Sequence, residues 1–329
     1  MSLERVRPVF GRLGLRAATA TTVTVAGTNG KGSCVAYLES ILAAAGYRTG
    51  VYTSPHLRQF NERIRVAGVS ANDEEIVAAF GKVEAARLDA SLTYFEYSTL
   101  AALSVFRAQR VDICLLEVGM GGRLDAVNLV DADISVITSI GLDHQGWLGN
   151  DRTAIAREKA GVFRRDQPAI IGESNPPESI AQAAEETGCR LLQIGEDFSY
   201  GRDADSWHWH GGATQFDRLP PPRFGGNEQY ANASCALAVI EQLAVNFRTD
   251  GAHICAGLDN AWLPGRLQQV AGRRNWILDV AHNGEAAMAL AAMLGDFAGR
   301  TIAVIGMMND KPVEAIAAAL ATAVDEWIV

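Results

Sequence analysis

The sequence predicts an α/β protein with a mostly parallel sheet followed by a second, smaller α/β unit. Three observations carry this. Short apolar, β-rich runs alternate with alanine-rich helical segments along most of the chain, the pattern of a parallel sheet with crossovers covered on both faces. A glycine-rich segment, Gly27-Thr28-Asn29-Gly30-Lys31-Gly32-Ser33, joins the first apolar run to the first helix. After Leu263-Pro264-Gly265-Arg266, a plausible hinge, the strand–helix rhythm begins again.

Taken in order, strands are expected at 22–26, 48–53, 113–118, 134–139, 168–171 and 190–194, where apolar and β-branched residues cluster. Between them, helical spacing places helices at 34–45, 73–90, 97–107, 153–160 and 177–187. Residues 196–228 are rich in Asp, Gly, Trp, His and Pro and predict an antiparallel hairpin with a loop. A long helix at 231–243 follows. Beyond the hinge come a strand at 275–280, a helix at 285–294, a strand at 301–307, a helix at 312–323 and a strand at 326–329. The division expected is 1–265 and 266–329. The second unit has only three strands and is expected to be incomplete, because α/β domains are usually larger.

Bulk composition narrows the function. A length of 329 residues suggests two domains, and 48% hydrophobic residues can bury a sizeable core. A formal net charge of −9 argues against a nucleic-acid partner, which needs a basic face. Five scattered cysteines (Cys34, Cys114, Cys189, Cys235, Cys255) with no Cys-x-x-Cys read as reduced thiols. The sequence shows neither an apolar signal core nor an ~18-residue apolar run. A cytoplasmic protein acting on small molecules is the expectation, with no membrane partner and a monomeric state.

The glycine-rich turn lets backbone amides crowd around an anion where a helix N-terminus adds roughly half a positive charge. Lys31 supplies a mobile cation and Ser33 a hydroxyl, so the segment reads as the phosphate cradle of a P-loop ATPase-type domain. Gly32, however, interrupts the Gly-Lys-Ser/Thr run of the standard motif. Glu117 ends an apolar strand and is followed by Gly119-Met120-Gly121-Gly122, the place from which many ATPases hold Mg²⁺. Taken alone, a strand-end acid simply faces solvent; the flanking glycines and the phosphate loop favour the metal.

His144 ends the next strand on the same rim, so it joins the metal candidates. Ser54, in Ser54-Pro55-His56 after the second strand, puts a hydroxyl there too; His56 has no evident role. Lys159 lies at a helix end, where a cation can complement the helix dipole. If buried beside a metal it must lose its charge, and reaction with CO₂ to a carbamate would make it an oxygen ligand. His208 and His210 share one face of a strand, but no third ligand lies nearby, and they are read as part of an exposed hairpin.

These motifs come together in one resemblance. Ala26-Gly27-Thr28-Asn29-Gly30-Lys31-Gly32-Ser33, Tyr52-Thr53-Ser54-Pro55-His56, Leu92-Thr93-Tyr94-Phe95-Glu96-Tyr97, Leu116-Glu117-Val118-Gly119-Met120-Gly121-Gly122-Arg123-Leu124-Asp125-Ala126, Asp143-His144, Arg157-Glu158-Lys159-Ala160-Gly161, Leu263-Pro264-Gly265-Arg266, Asp279-Val280-Ala281-His282-Asn283 and Ile305-Gly306-Met307 resemble, in order, the bacterial folylpolyglutamate synthase/dihydrofolate synthase family of the Mur ligase superfamily. The opening Leu3-Glu4-Arg5-Val6 matches its pterin-proximal stretch.

The resemblance implies an ATP-dependent ligase that phosphorylates a carboxylate and joins it to glutamate through an acyl phosphate. It forms dihydrofolate from dihydropteroate and extends folates with glutamate. It further implies ATP and two Mg²⁺ ions as cofactors. Gly30, Lys31, Gly32 and Ser33 would cradle the phosphates, and Asn232, Arg266 and Asp279 would contact ATP. Ser54 and Glu117 would hold one metal, with His144, Glu117 and carbamylated Lys159 at the second. The catalytic set is then Lys31, Glu117, His144 and Lys159.

Phe95, Glu96, Leu124, Asp125 and Ala126 would line the pterin site, and His282 and Lys311 the glutamate site. The second unit would be a Rossmann-like domain that family members continue past Val329. Asn309 stands where the family usually has a histidine, which changes the charge available near glutamate or nucleotide. Alternatives are a folylpolyglutamate synthase alone, or a shortened chain that binds nucleotide and pterin without ligating. A ligase of cell-wall precursors is disfavoured by the pterin-lining segments.

Overall fold

The computed structural model describes residues 2–15, 20–295, 297, 299–308 and 311–329. Its centre is one sheet built from β1 (Thr21–Ala26), β2 (Thr49–Tyr52), β3 (Ile64–Val66), β4 (Val69–Ser70), β5 (Ile113–Glu117), β6 (Ile134–Ile137), β7 (Pro168–Ile171) and β8 (Arg190–Gln193). They lie side by side in the order β4-β3-β2-β5-β1-β6-β7-β8. The six strands from β2 to β8 run parallel, and β3 and β4 add antiparallel at one edge.

Alternation along the strands builds two cores. Val23 and Val25 of β1 and Ile113 and Leu115 of β5 join one apolar cluster, while Cys114 and Leu116 face the other. On the first face lie α2 (Lys31–Ala44), α8 (Glu228–Leu243) and α9 (Gly251–Asn260), whose buried residues share that cluster. The second face carries α3 (Asp73–Arg87), α4 (Tyr94–Gln109), α6 (Arg152–Ala160) and α7 (Ser179–Thr187), with α1 (Arg7–Arg12) beyond them. Burial on both faces explains why the central strands read as apolar runs rather than as alternating ones.

Three local expectations change. α2 begins at Lys31, three residues before the expected Cys34. Gly30 sits in the left-handed region, and Gly32 and Ser33, poor formers in a helix interior, occupy a first turn whose amides lack partners anyway. Residues 196–228 hold a three-stranded meander, β9 (Ser199–Arg202), β10 (Trp207–His210) and β11 (Gln215–Leu219), in the order β11-β10-β9. Trp207 and Trp209 on β10 are fully buried in the first core, so this strand packs inward and is not an exposed hairpin. Beyond Leu263, strand β12 (Gln268–Val270) pairs with β13 (Trp276–Leu278), and β14 (Ile302–Val304) with β15 (Glu326–Ile328). These are two separate two-stranded sheets. Helices α10 (Gly284–Leu294) and α11 (Val313–Leu320) pack together over a small core of Ala287, Ile316 and Leu320.

Candidate active site

At the carboxyl end of β1 the chain turns through the glycine-rich segment into α2. Gly27 has a φ of 150° and Gly30 one of 86°. A Cβ on the first would collide with Thr138 Oγ1, and one on the second with Asn232 Oδ1. Positive φ and close approach together require glycine at both positions. The loop is pinned to the end of β6: the Thr28 amide donates to the Ser139 carbonyl (2.9 Å) and the Asn29 amide to Ser139 Oγ (2.9 Å). Lys31 bends back over its own loop, donating from Nζ to the carbonyls of Gly27 (3.0 Å) and Thr28 (3.1 Å). The amides of residues 31–33 therefore open the helix with a cation above them.

Glu117, the last residue of β5, lies under this turn. A Cβ at Gly32 would stand 3.8 Å and 3.9 Å from its two carboxylate oxygens and 3.4 Å from Leu263. The glycine that breaks the standard motif thus lets the helix start close over the acid. Glu117 accepts one hydrogen bond, from the Ser54 amide (3.1 Å), which brings the segment after β2 to the same point. Burial pushes its carboxyl up, against the opposing charge of Lys31 and the Ser54 amide. Burial likewise lowers Lys31, with Glu117 resisting. Both shifts come from lost water, which each partner only partly replaces.

His144 follows the end of β6 in the left-handed region, capping the short α5 (Gln145–Leu148). Its amide donates to Asp143 Oδ1 (2.8 Å), and its ring Nε2 lies 3.7 Å from Asp143 Oδ2. Asp143 also meets Lys311 Nζ (3.4 Å) and His282 Nε2 (3.7 Å). Burial raises the Asp143 carboxyl, but His282, His144 and Lys311 outweigh it and hold it well below the usual range. Lys159 is buried near the end of α6, and its side chain makes no hydrogen bond or ion pair with another described residue. Burial, aided by the charge of Lys31, drives its amine down to about 7.

The opposite wall is the head of α4. Thr93 and Glu96 form a capping box, and the Glu96 carboxylate also takes the Thr93 hydroxyl (2.8 Å) and Arg5 Nε (3.0 Å). Phe95 covers Gly119, where a Cβ would meet its ring at 2.7 Å, and packs 5.8 Å from the Tyr52 ring. Asp125 caps a 3₁₀ turn, accepting the amides of Val127 (2.9 Å) and Met120 (3.0 Å); burial pushes its carboxyl up to about 6. Leu124 and Asp125 line the cleft, whereas Ala126 is buried and does not.

From the other side come Asn232, Arg266, Asp279, His282 and Lys311, all lining the same cleft. Asp279 accepts the amides of Leu267 (3.0 Å) and Ala281 (2.8 Å), which fixes the bend around Arg266. The Asn283 side chain donates to Asn29 Oδ1 (2.9 Å), tying the head of α10 to the phosphate loop. One continuous cleft of about 1510 Å³ therefore receives the phosphate loop, Ser54, Glu117, His144, Lys159, Phe95 and the residues beyond Leu263. His208 and His210 lie on the separate meander, and Asn309 lies outside the described residues.

No individual role was expected for Asp143, which gathers Lys311 and His282 from the far wall, or for Asn29 and Asn283, although all three lie in segments that carry the resemblance; Arg5 stood only in the pterin-proximal stretch. Arg5 had a further signal, through the Thr93-x-x-Glu96 capping box that fixes its partner.

The donors suit a hard divalent ion. Among the described residues Ser33 Oγ is buried without a hydrogen-bond partner, and the buried Glu117 carboxylate has a single amide. Among the described residues no three His, Cys, Asp or Glu side chains gather around one point. Mg²⁺ does not need them, since it is commonly held by one or two carboxylates plus phosphates and water. Among the described residues no helix is long and apolar enough to cross a membrane.

The Mur ligase middle-domain family matches residues 25–219, and the Mur ligase, glutamate ligase domain family matches residues 265–329. The dihydrofolate synthase/folylpolyglutamate synthase of Escherichia coli (strain K12) is 45% identical over 329 residues, covering 99% of this chain and 76% of that protein. The solved structure of E. coli FolC in complex with DHPP and ADP superposes with a TM-score of 0.95 at 45% identity, covering 99% and 78% of the two chains. A bifunctional folylpolyglutamate synthase/dihydrofolate synthase with Mn, AMPPNP and L-glutamate bound gives a TM-score of 0.93 at 45% identity, covering 99% and 79%.

Proposed function

This chain belongs to the dihydrofolate synthase/folylpolyglutamate synthase family of Mur ligases, and from that premise we propose how its cleft joins glutamate first to dihydropteroate and then to folates. It is an ATP-dependent ligase that uses a divalent metal. One observation carries the site reading: a single cleft connects the phosphate loop, the buried Glu117 and the aromatic wall at Phe95 to the side chains of His282 and Lys311. Activating a carboxylate and delivering an amine to it needs those four neighbourhoods in reach of one another.

In this reading residues 1–265 hold nucleotide and pterin, and residues 266–329 close the glutamate side. The amides of residues 31–33 and Lys31 cradle the ATP phosphates, while Asn232, Arg266 and Asp279 grip the nucleotide from both walls. The substrate carboxylate attacks the terminal phosphorus and ADP leaves. Lys31, already fixed on two carbonyls, sits where charge grows on the transferred group. The glutamate amine then attacks the acyl carbon, and phosphate departs as the amide forms. His282 and Lys311 hold the carboxylates of that glutamate.

Ser54 and Glu117 would hold one divalent ion, and Glu117, His144 and carbamylated Lys159 a second. When bound, such ions neutralise phosphate oxygens that would otherwise repel the incoming anion. Supporting the carbamate, the Lys159 side chain is buried, without a partner among the described residues and shifted to about 7, so much of it is the neutral amine that can add CO₂. Phe95, Glu96, Leu124 and Asp125 would position the pterin. Ala126 would act through the backbone beneath them.

The test is ADP release by the purified chain with ATP, Mg²⁺ and glutamate, using dihydropteroate or tetrahydrofolate as acceptor. Turnover of both is expected. Turnover of tetrahydrofolate alone would reduce the reading to chain extension, and turnover of neither, with or without a cell-wall uridine nucleotide, would overturn it.

A further inference from the structure

Arg63 is buried at 8% exposure, yet no carboxylate lies within 4 Å of it among the described residues. Its backbone carbonyl accepts the Thr53 amide (3.0 Å), which holds it beside the Ser54 segment. Its Nε–H donates to His56 Nδ1 (2.8 Å), so the histidine left without a role in the sequence fixes the guanidinium fork and carries its own ring proton on Nε2. The fork lies over Tyr94, with its carbon 5.3 Å from the ring centre, and 5.9 Å from that of Phe60. Arg63, Tyr94 and Phe95 line the same stretch of the cleft.

A buried guanidinium without an anion is costly, and rings replace only part of its hydration. The other cleft arginine at this edge, Arg65, is satisfied by Glu39 (2.7 Å), and Arg5 by Glu96. Glu62, next in sequence, spends its carboxylate on the amides of Leu57, Arg58 and Gln59. The Tyr52 hydroxyl is a further polar neighbour but carries no charge; among the described residues no anion is left for Arg63, and one from outside the chain would complete it.

We propose that Arg63 pairs with the α-carboxylate of a folate's terminal glutamyl residue, the substrate carboxylate that does not react. The inference rests on the ligase reading above. Dihydropteroate carries one carboxylate, which must reach the phosphate loop. A folate carries a second, and the γ-carboxylate is the one that reacts. The guanidinium lies over Tyr94 and Phe60, so Arg63 belongs to the aromatic wall of the cleft. His282 and Lys311, the reading's glutamate ligands, already meet Asp143 in the segment after β6. Arg63 therefore favours substrates that already carry glutamate.

The experiment compares wild type, Arg63→Gln and Arg63→Lys with dihydropteroate, tetrahydrofolate and tetrahydrofolate whose α-carboxylate is a neutral amide. In wild type the α-amide is expected to raise KM by roughly 10- to 100-fold, the worth of a charge-assisted bond. In Arg63→Gln the tetrahydrofolate-to-dihydropteroate KM ratio should rise by a similar factor, the α-amide should cost little more, and Arg63→Lys should recover part of the loss. If the α-amide penalty is as large in Arg63→Gln as in wild type, the assignment is overturned, because the two changes would then act independently. The same follows if the ratio does not move. Either result leaves the ligase reading standing when wild type turns over both natural substrates. A wild type that uses dihydropteroate alone overturns the assignment, and one that uses neither overturns both.

Discussion

Lys159 concentrates the tension between stability and chemistry in one side chain. Its amine sits at about 7 in the folded chain against an ordinary 10.5, so folding must strip a proton or bury a charge. The sign follows directly: the folded value is the lower one. The destabilisation is therefore full below about pH 7 and fades as pH rises towards 10.5. In metal-free, CO₂-free buffer, Lys159→Met should be more stable than wild type by on the order of 1–4 kcal/mol near pH 6. The gap should narrow at pH 9, and ligation should be lost. Thermal unfolding at the two pH values checks this; a gap that widens with pH would refute the shift. A ¹³C-carbamate signal from labelled bicarbonate should likewise grow as pH rises through about 7.

Helix starts carry the site at the next scale. α4 presents Phe95 and Glu96 only because Thr93 and Glu96 cap each other, which also sets the carboxylate that Arg5 clasps. Thr93→Ala should cost roughly 1 kcal/mol in urea unfolding and raise KM for dihydropteroate several-fold while leaving ATP affinity close to wild type. A loss of ATP affinity equal to the pterin effect would show that the cap supports the whole cleft.

Elements of this kind were legible where pattern and length agreed: β7 matched its expected 168–171, and α3 began at the expected residue 73, where Asn72 caps it. Elements escaped where only a few residues carry them. β3 and β4 are three and two residues long and owe their existence to pairing with β2 and with each other. α9 begins Gly-Ala-His and is held by Asp250 and by burial of Ile254 and Leu258, tertiary facts that local composition does not announce. In the site, Glu117 showed itself as the end of a strand, and Lys31 and His144 by the segments that follow β1 and β6 on the same rim. Asp143 and Arg63 did not, because their meaning lies in partners more than a hundred residues away or in partners that are absent.

Across the whole molecule, stability is uneven. The main sheet sits between two extensive cores, whereas the part beyond Leu263 buries only Ala287, Ile316 and Leu320 among its described apolar residues. It is tied to the phosphate loop by Asn283 on Asn29 and by Lys311 and His282 on Asp143. Native-state hydrogen exchange should therefore show α10 and α11 opening well before β1, β5 and β6. Saturating Mg²⁺–ADP should narrow that gap, since ligand at 100 times Kd adds about 2.7 kcal/mol to any state it requires. Equal protection of both parts without nucleotide would contradict the uneven cores.

The antiparallel edge of the main sheet has a consequence for how copies of the chain behave in crowded solution. β4 ends that edge after two residues, with both side chains exposed, and four-residue β8 ends the other with an exposed Arg190. A neighbouring chain seeking to extend the sheet finds almost no free backbone rungs on which to register, and a charge beside those that exist. Short edges of this kind, one of them the two-residue β4 that the sequence pattern did not show, thus guard the enzyme against growing into aggregates of itself.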